Sequence, residues 1–359
     1  MTRPARVIIN LSALQHNLQR IRELAPASKI MAVIKADAYG HGLTRIARNL
    51  SNVDAFGVAC LEEARELRAS GINHQILLLE GPYDVSELAE IAQSNLDIVI
   101  HDINQVEMLE SFQSGYAFPV WLKIDTGMHR LGFLPEQVNS VWQRLNQCNQ
   151  VDKNIRFMTH LALANDRSSL MTAKQIESFE EICKDLNGEK TIANSAGILA
   201  FPHSHSDWVR PGLMLYGVSP FSDNEGIDEQ LQAVMTLESK LISVKHLKKG
   251  ESVGYSASWC CPEDMLVGVV AAGYGDGYPR HAPSGTPVLV NGKRVTLIGH
   301  ASMDMLTIDL RDQPAAKTGD RVILWGDGLP VEEIARCAET IPYELLSAVH
   351  KRLEFIERG

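Results

Sequence analysis

Residues 31–42 read MAVIKADAYGHG, a short apolar run that ends on Lys35 and breaks into a turn carrying Gly40 and Gly42. An apolar run of this length, bounded by turn residues, reads as a strand buried on both faces. With this run taken as 30–35, the pattern recurs at 55–59, 75–79, 97–101, 119–124, 156–160, 191–194 and 208–210. Helix-period segments lie between these runs. In LEEARELRASG (61–71), Leu61, Ala64 and Leu67 fall near helical spacing and Gly71 supplies the stop. Leu14, Leu18, Ile21 and Leu24, after Ser12, mark another helix before the first strand. Strands alternating with helices in this way predict a (β/α)₈ TIM-type barrel, with a doubly wound sheet as the rival architecture.

After about residue 230 the rhythm changes to strand-like runs at 234–245, 266–272, 287–290, 295–298, 305–310 and 321–325, with little helix between them. This predicts a smaller, mainly-β C-terminal domain. The expected division is 1–230 and 231–359, with the first ~10 residues available to pair with the second domain. Asn291–Gly292, between PVLV and KRVTLI, is a hairpin signal, because both positions tolerate the positive φ of a type I′ turn.

Composition narrows the function. The 359 residues are 45% hydrophobic and 22% charged, the balance of a folded globule, and the formal net charge is -10. That charge gives no general pull toward nucleic acid or an anionic membrane surface, so small molecules are the expected partners. No apolar stretch approaches the ~18–20 residues of a membrane span, and the N-terminus lacks the pattern of a secretory signal. A cytoplasmic protein is expected. The six cysteines, at 60, 148, 183, 260, 261 and 337, show no C-x-x-C spacing and read as reduced thiols.

Barrel chemistry belongs at the C-terminal ends of the strands. Lys35 ends the first run, where a desolvated amine can act as a Schiff-base nucleophile or proton acceptor, or simply be a solvated lysine. Arg130, in WLKIDTGMHRLG, is either a guanidinium fork aimed at an acidic ligand group or a surface arginine. His160 reads as catalytic or structural, and Ser195, in IANSAG, as a site hydroxyl or a helix N-cap. Arg210 and Gly212, in WVRPG, follow the eighth strand, where barrels often build phosphate sites. His203 and His205 form an H-x-H pair without clear further ligands, so no metal is expected. A lysine at the mouth with cations and a phosphate-type site suggests a pyridoxal 5'-phosphate enzyme.

The series VIKADAYGHG, KIDTGMHRLG, NSAG, VRPGLMLYG, VGYSASW and SMDM resembles that of the alanine racemase family, in order and over nearly the whole chain. The resemblance implies interconversion of L-alanine and D-alanine, supplying D-alanine for peptidoglycan. By it, Lys35 forms the internal aldimine and is one of two bases, and Tyr255 is the other. It further implies that Tyr255 enters the active site of the other subunit of a homodimer. Arg210 resembles the arginine that contacts the pyridine nitrogen. Tyr39, Ser195, Gly212, Leu213 and Tyr343 match positions around the cofactor phosphate, and His160 is counted with the cofactor-binding set. Arg130 and Met303 match positions that bind the substrate carboxylate.

Lys123 lies on the same strand face as Trp121 and Asp125. In the resembled family such a lysine is often N-carboxylated, which makes it an anion able to orient Arg130. Tyr274, in AAGYGDGYPR, resembles an entrance-gate residue, although its glycines need mean only a turn, and Asp304 is a supporting position. The sequence departs from the commoner family pattern at His300, where an arginine is frequent, and at Asn165, where an acid is frequent. Rival readings are a broad-specificity racemase, a non-catalytic pyridoxal phosphate carrier and a decarboxylase.

Overall fold

The apolar runs of the N-terminal half are the strands of a closed parallel barrel in the computed structural model, which describes residues 3–223 and 225–359. Behind a leading strand, β1 (Arg6–Asn10), come the barrel strands β2 (Lys29–Val33), β3 (Ala55–Val58), β4 (Gln75–Leu78), β5 (Asp97–Ile100), β6 (Val120–Lys123), β7 (Arg156–Met158), β8 (Lys190–Thr191) and β9 (Trp208–Val209). β9 returns to pair with β2, Lys29 opposite Trp208, which closes the barrel and removes the doubly wound alternative. One cluster of buried core residues comprises Met31, Ala55, Leu77, Val99, Trp121, Met158 and Trp208, one from each of seven barrel strands. Trp121 and Trp208 meet edge to face at 5.6 Å, and Asp97 accepts from Trp121 Nε1 at 2.9 Å and Arg156 Nη1 at 2.8 Å. The barrel centre is therefore a packed core, so ligands are confined to its end.

Contacts between Cα atoms divide the chain into two units, one of Leu18–Ala38 and Gly42–Leu215, the other of Met1–Asn17, Tyr39–His41 and Tyr216–Gly359. The second unit is built on β10 (Met235–Leu247), β11 (Ser252–Val253), β12 (Trp259–Cys260), β13 (Met265–Val270), β14 (Pro287–Val290), β15 (Lys293–Thr296), β16 (Leu306–Asp309), β17 (Arg321–Trp325) and β18 (Glu354–Arg358). β1 lies between β10, antiparallel, and β18, parallel. The buried Glu238 of β10 receives Arg6 and Arg321, each at 2.6 Å, so its charge is doubly compensated. The long β10 pairs with β17 over Leu237–Lys240 and with β13 over Leu241–Leu247, with a register irregularity between Leu241 and Ser243 in the latter pairing. The Asn291–Gly292 turn has φ of 48° and 79°, and Val290 stands opposite Lys293. Two helices, Val331–Cys337 and Pro342–Ser347, follow the last of the strand-like runs read from the sequence, 321–325, and precede β18.

Candidate active site

Lys35 follows β2 and opens a helical turn, Lys35–Gly40, of unusual hand. Ala36, Asp37, Ala38 and Tyr39 have φ of 54°, 53°, 53° and 54°, a left-handed conformation that costs about 1–2 kcal/mol per non-glycine residue. Neighbours hold it in place. Ala36 N donates to Glu63 Oε1 at 2.6 Å, Ala38 N to Ile34 O at 2.9 Å, and Leu43 N to Asp37 Oδ1 at 2.7 Å. The turn thus fixes the direction in which the chain leaves Lys35.

Lys123 is two residues beyond Trp121 on β6, and the two share a strand face, one in the core and the other nearer the mouth. Its side chain is buried, and burial together with the Arg210, Arg130 and Lys35 charges pulls its pKa down to about 7. The chain then loops out and back, with Phe133 N donating to Lys123 O at 3.0 Å and Asp125 N to Phe133 O at 2.9 Å. Asp125 Oδ1 accepts from Gly127 N and His129 N, which shapes the loop that carries Arg130. A Cβ at Gly132, φ 121°, would lie 2.8 Å from Asp125 N, so the return of this loop requires glycine. Lys123, Arg130, Thr159 and His160 line one small cavity.

Arg210, following β9, is buried and donates through Nη1 to Thr191 Oγ1 at 2.6 Å and through Nη2 to Thr159 O at 2.6 Å. Nη2 also lies 3.4 Å from His160 Nδ1, which makes Nδ1 the acceptor and puts the imidazole proton on Nε2. Burial lowers the guanidinium pKa to about 10, leaving it charged at neutral pH, while burial and the Arg210, Lys123, Arg130 and Lys35 charges hold His160 well below the usual imidazole range. Ser195 Oγ accepts from Gly212 N at 3.0 Å and Met214 N at 3.3 Å. The N-cap of the 195–200 helix is Asn194, whose side chain accepts from Gly197 N, so Ser195 instead ties the helix start to the loop containing Gly212 and Leu213.

Lys35, Lys123, Arg130 and Arg210 form no ion pair with a carboxylate among the described residues, and the acceptors of Arg210 there are all neutral. Of the four, Lys123 and Arg210 are buried; buried positive charge without a counter-ion is costly, and a phosphate monoester together with a carboxylate substrate supplies the missing charge. The donor set of the barrel mouth therefore fits pyridoxal phosphate.

The remaining candidate residues belong to the second unit. The Tyr39 ring lies 4.9 Å from that of Tyr216 and 5.8 Å from that of Tyr343, and burial and Tyr343 push its phenol above the usual value. Tyr255 opens a short turn, Tyr255–Ala257, in which Ser256 and Ala257 have positive φ, and its side chain is exposed at 70%. Tyr274 N donates to Ser302 O at 3.0 Å and Gly275 N to Met303 O at 2.9 Å, which joins the Tyr274 turn to the Met303 loop. Asp304 accepts from Arg352 Nη2 at 2.8 Å.

Residues 9–220 match the alanine racemase N-terminal domain and residues 234–357 the alanine racemase C-terminal domain. The chain belongs to the alanine racemase family. It is 54% identical over 346 residues to the alanine racemase of Nitrosococcus oceani, covering 96% of this chain and 97% of that one. It is 51% identical over 350 residues to the biosynthetic alanine racemase of Escherichia coli, covering 97% and 98%. Its fold matches the biosynthetic alanine racemase of Pseudomonas aeruginosa with a TM-score of 0.97 at 44% identity, covering 100% of both chains. The alanine racemase of Bartonella henselae, whose structure has covalently bound pyridoxal phosphate, matches with a TM-score of 0.90 at 29% identity, covering 99% of each chain.

Alanine racemase family membership makes this chain a pyridoxal phosphate-dependent amino-acid racemase. Sequence reasoning missed Glu63, Thr159, Thr191 and Asp276. The available signals were weak: threonines beginning or ending short apolar runs, and a carboxylate inside the glycine cluster beside Tyr274.

Proposed function

We propose that Lys35 and Tyr255 are the two bases of L-alanine and D-alanine interconversion, acting on opposite faces of Cα. The carrying observation is the Arg210 guanidinium, buried against neutral acceptors in a barrel mouth that also holds Lys35, Lys123 and Arg130. Pyridoxal phosphate, when bound, draws electron density from the Cα–H bond of the attached amino acid and makes that proton removable. Lys35 would hold the cofactor covalently and move the proton on one face. The Tyr255 hydroxyl serves the other face, because a single fixed base tends to return the proton to the side it left.

Arg210 is the residue that would face the pyridine nitrogen and, being charged, would disfavour its protonation, which would weaken the electron sink and suit proton return over transamination. Ser195, the backbone N–H groups of Gly212 and Leu213, and the hydroxyls of Tyr39 and Tyr343 would hold the phosphate, with His160 beside the ring as a neutral imidazole. Arg130 and Met303 bind the substrate carboxylate, Tyr274 limits substrate size, and Asp304 supports this side of the site. Lys123, with its pKa near 7, has an available lone pair at neutral pH. Its Nζ forms a bond to the carbon of CO₂, one C=O pair moves onto oxygen, and the N–H proton leaves to water. The resulting carbamate pairs with Arg130. Density for a well-ordered, unmodified amine would overturn that step.

Tyr255 at 70% exposure and Met303 at 53% support a homodimer in which Tyr255 acts in the partner's site. The family to which the chain belongs supports cytoplasmic supply of D-alanine to peptidoglycan precursors; among the described residues, no helix is long and apolar enough to cross a membrane. The test is complementation between Lys35→Ala and Tyr255→Phe, each inactive alone. Mixed dimers with one native Lys35–Tyr255 pair regain racemisation if the site is shared, whereas no recovery despite dimer exchange contradicts the arrangement.

A further inference from the structure

Arg3, Asp276 and Arg352 form an ion cluster that none of the roles above uses. The Asp276 side chain is fully buried and accepts from Arg3 Nη1 at 2.5 Å and Nη2 at 2.8 Å, from Arg352 Nε at 2.8 Å, and from Gly273 N at 2.9 Å. Both guanidinium groups continue into the neighbouring loop. Arg352 Nη2 reaches Asp304 Oδ1 at 2.8 Å and Met303 O at 3.4 Å, and Arg3 Nη2 reaches Asp304 O at 3.2 Å. A Cβ at Gly273 would come within 2.2 Å of Ser302 O, which shows how closely the two segments approach.

The cluster acts on two segments at once. An anchor for the 273–277 turn alone needs only a donor to Asp276, yet both arginines also grip residues 303–304. Planar forks transmit direction as well as charge, so a shift of either segment must break charge-assisted hydrogen bonds to the other. We propose that Asp276, with Arg3 and Arg352, is a positioning residue that sets the spacing between Tyr274 and Met303 and thereby the size of side chain admitted with a gripped carboxylate. The inference rests on the roles assigned above to Tyr274 and Met303. The substrates it separates are amino acids with a methyl side chain and those that are one polar atom larger.

The experiment compares steady-state kinetics of the full-length holoenzyme on L-alanine and L-serine for wild type, Asp276→Asn, Arg3→Ala and Arg3→Lys, alongside cofactor absorbance and thermal midpoint. Asp276→Asn is expected to raise KM for alanine about tenfold with kcat changed by less than about threefold, and to lower the alanine-over-serine ratio of kcat/KM about tenfold. Arg3→Ala moves the same two quantities in the same direction by less. Arg3→Lys resembles Arg3→Ala more than wild type, because it keeps the charge and loses the fork. Unchanged KM and unchanged preference in cofactor-loaded variants would overturn the proposal, as would a fall confined to kcat. If Asp276→Asn does not fold, Arg3→Ala decides by the same criteria, since its side chain is 31% exposed. A wild-type holoenzyme that does not racemise alanine would instead overturn the reading of the site, an outcome distinct from unchanged preference in an active enzyme.

Discussion

The buried Arg210 guanidinium donates to Thr191 Oγ1 at 2.6 Å, so a cation at the barrel mouth rests on a neutral hydroxyl. Thr191→Val keeps the shape and removes the acceptor. An unsatisfied buried donor costs about 1–3 kcal/mol and more when charged, so urea unfolding of the cofactor-free protein is expected to shift by at least that range. A shift under about 0.5 kcal/mol would mean that Arg210 finds another acceptor without strain.

Lys123 carries a pH signature. Its pKa falls from 10.5 to about 7 on folding, so between these values the unfolded chain binds the proton more tightly. Stability from this group is therefore intact above pH 10.5 and is lost as the pH falls to about 7. In CO₂-free buffer Lys123→Met is expected to exceed the parent in stability at pH 7, with the gap shrinking by pH 10.5. A gap independent of pH would contradict the burial argument.

The left-handed turn after Lys35 predicts opposite outcomes for neighbouring substitutions. Gly40→Ala would put a Cβ 2.0 Å from Leu346 O at a φ of 77°, and should destabilise by at least the ~1–3 kcal/mol typical of such strain. At exposed Ala36, glycine relieves about 1–2 kcal/mol of left-handed strain. The usual entropy cost of glycine is only about 0.5–1 kcal/mol. Ala36→Gly should therefore leave the thermal midpoint level or raised. A clear fall would show that the turn is not strained at this position.

The barrel was legible because its strands are buried on both faces, which gives them short apolar runs such as IMAVI (30–34) or IVI (98–100). Lys35, His160 and Arg210 were legible as the polar residues that end such runs, and Lys123 by its parity with Trp121. The family motifs supplied roles for Tyr255 and Met303, which local pattern alone leaves as an aromatic and a methionine. The turn at 36–39 was hidden because, of ADAY, only Asp37 is of a type that readily takes positive φ, and Ala36, Ala38 and Tyr39 are not. Its conformation comes from tertiary partners such as Glu63. The Asp276 cluster joins residues 3, 276 and 352, a separation that no local periodicity can report.

Exchange of the Cα proton of L-alanine and of D-alanine in D₂O, followed for wild type and Tyr255→Phe, tests the two-base account most directly. Wild type is expected to exchange and racemise both enantiomers, and Tyr255→Phe to lose exchange from one enantiomer while keeping it from the other. Equal loss from both enantiomers in Tyr255→Phe, with the cofactor still bound, would contradict bases on opposite faces.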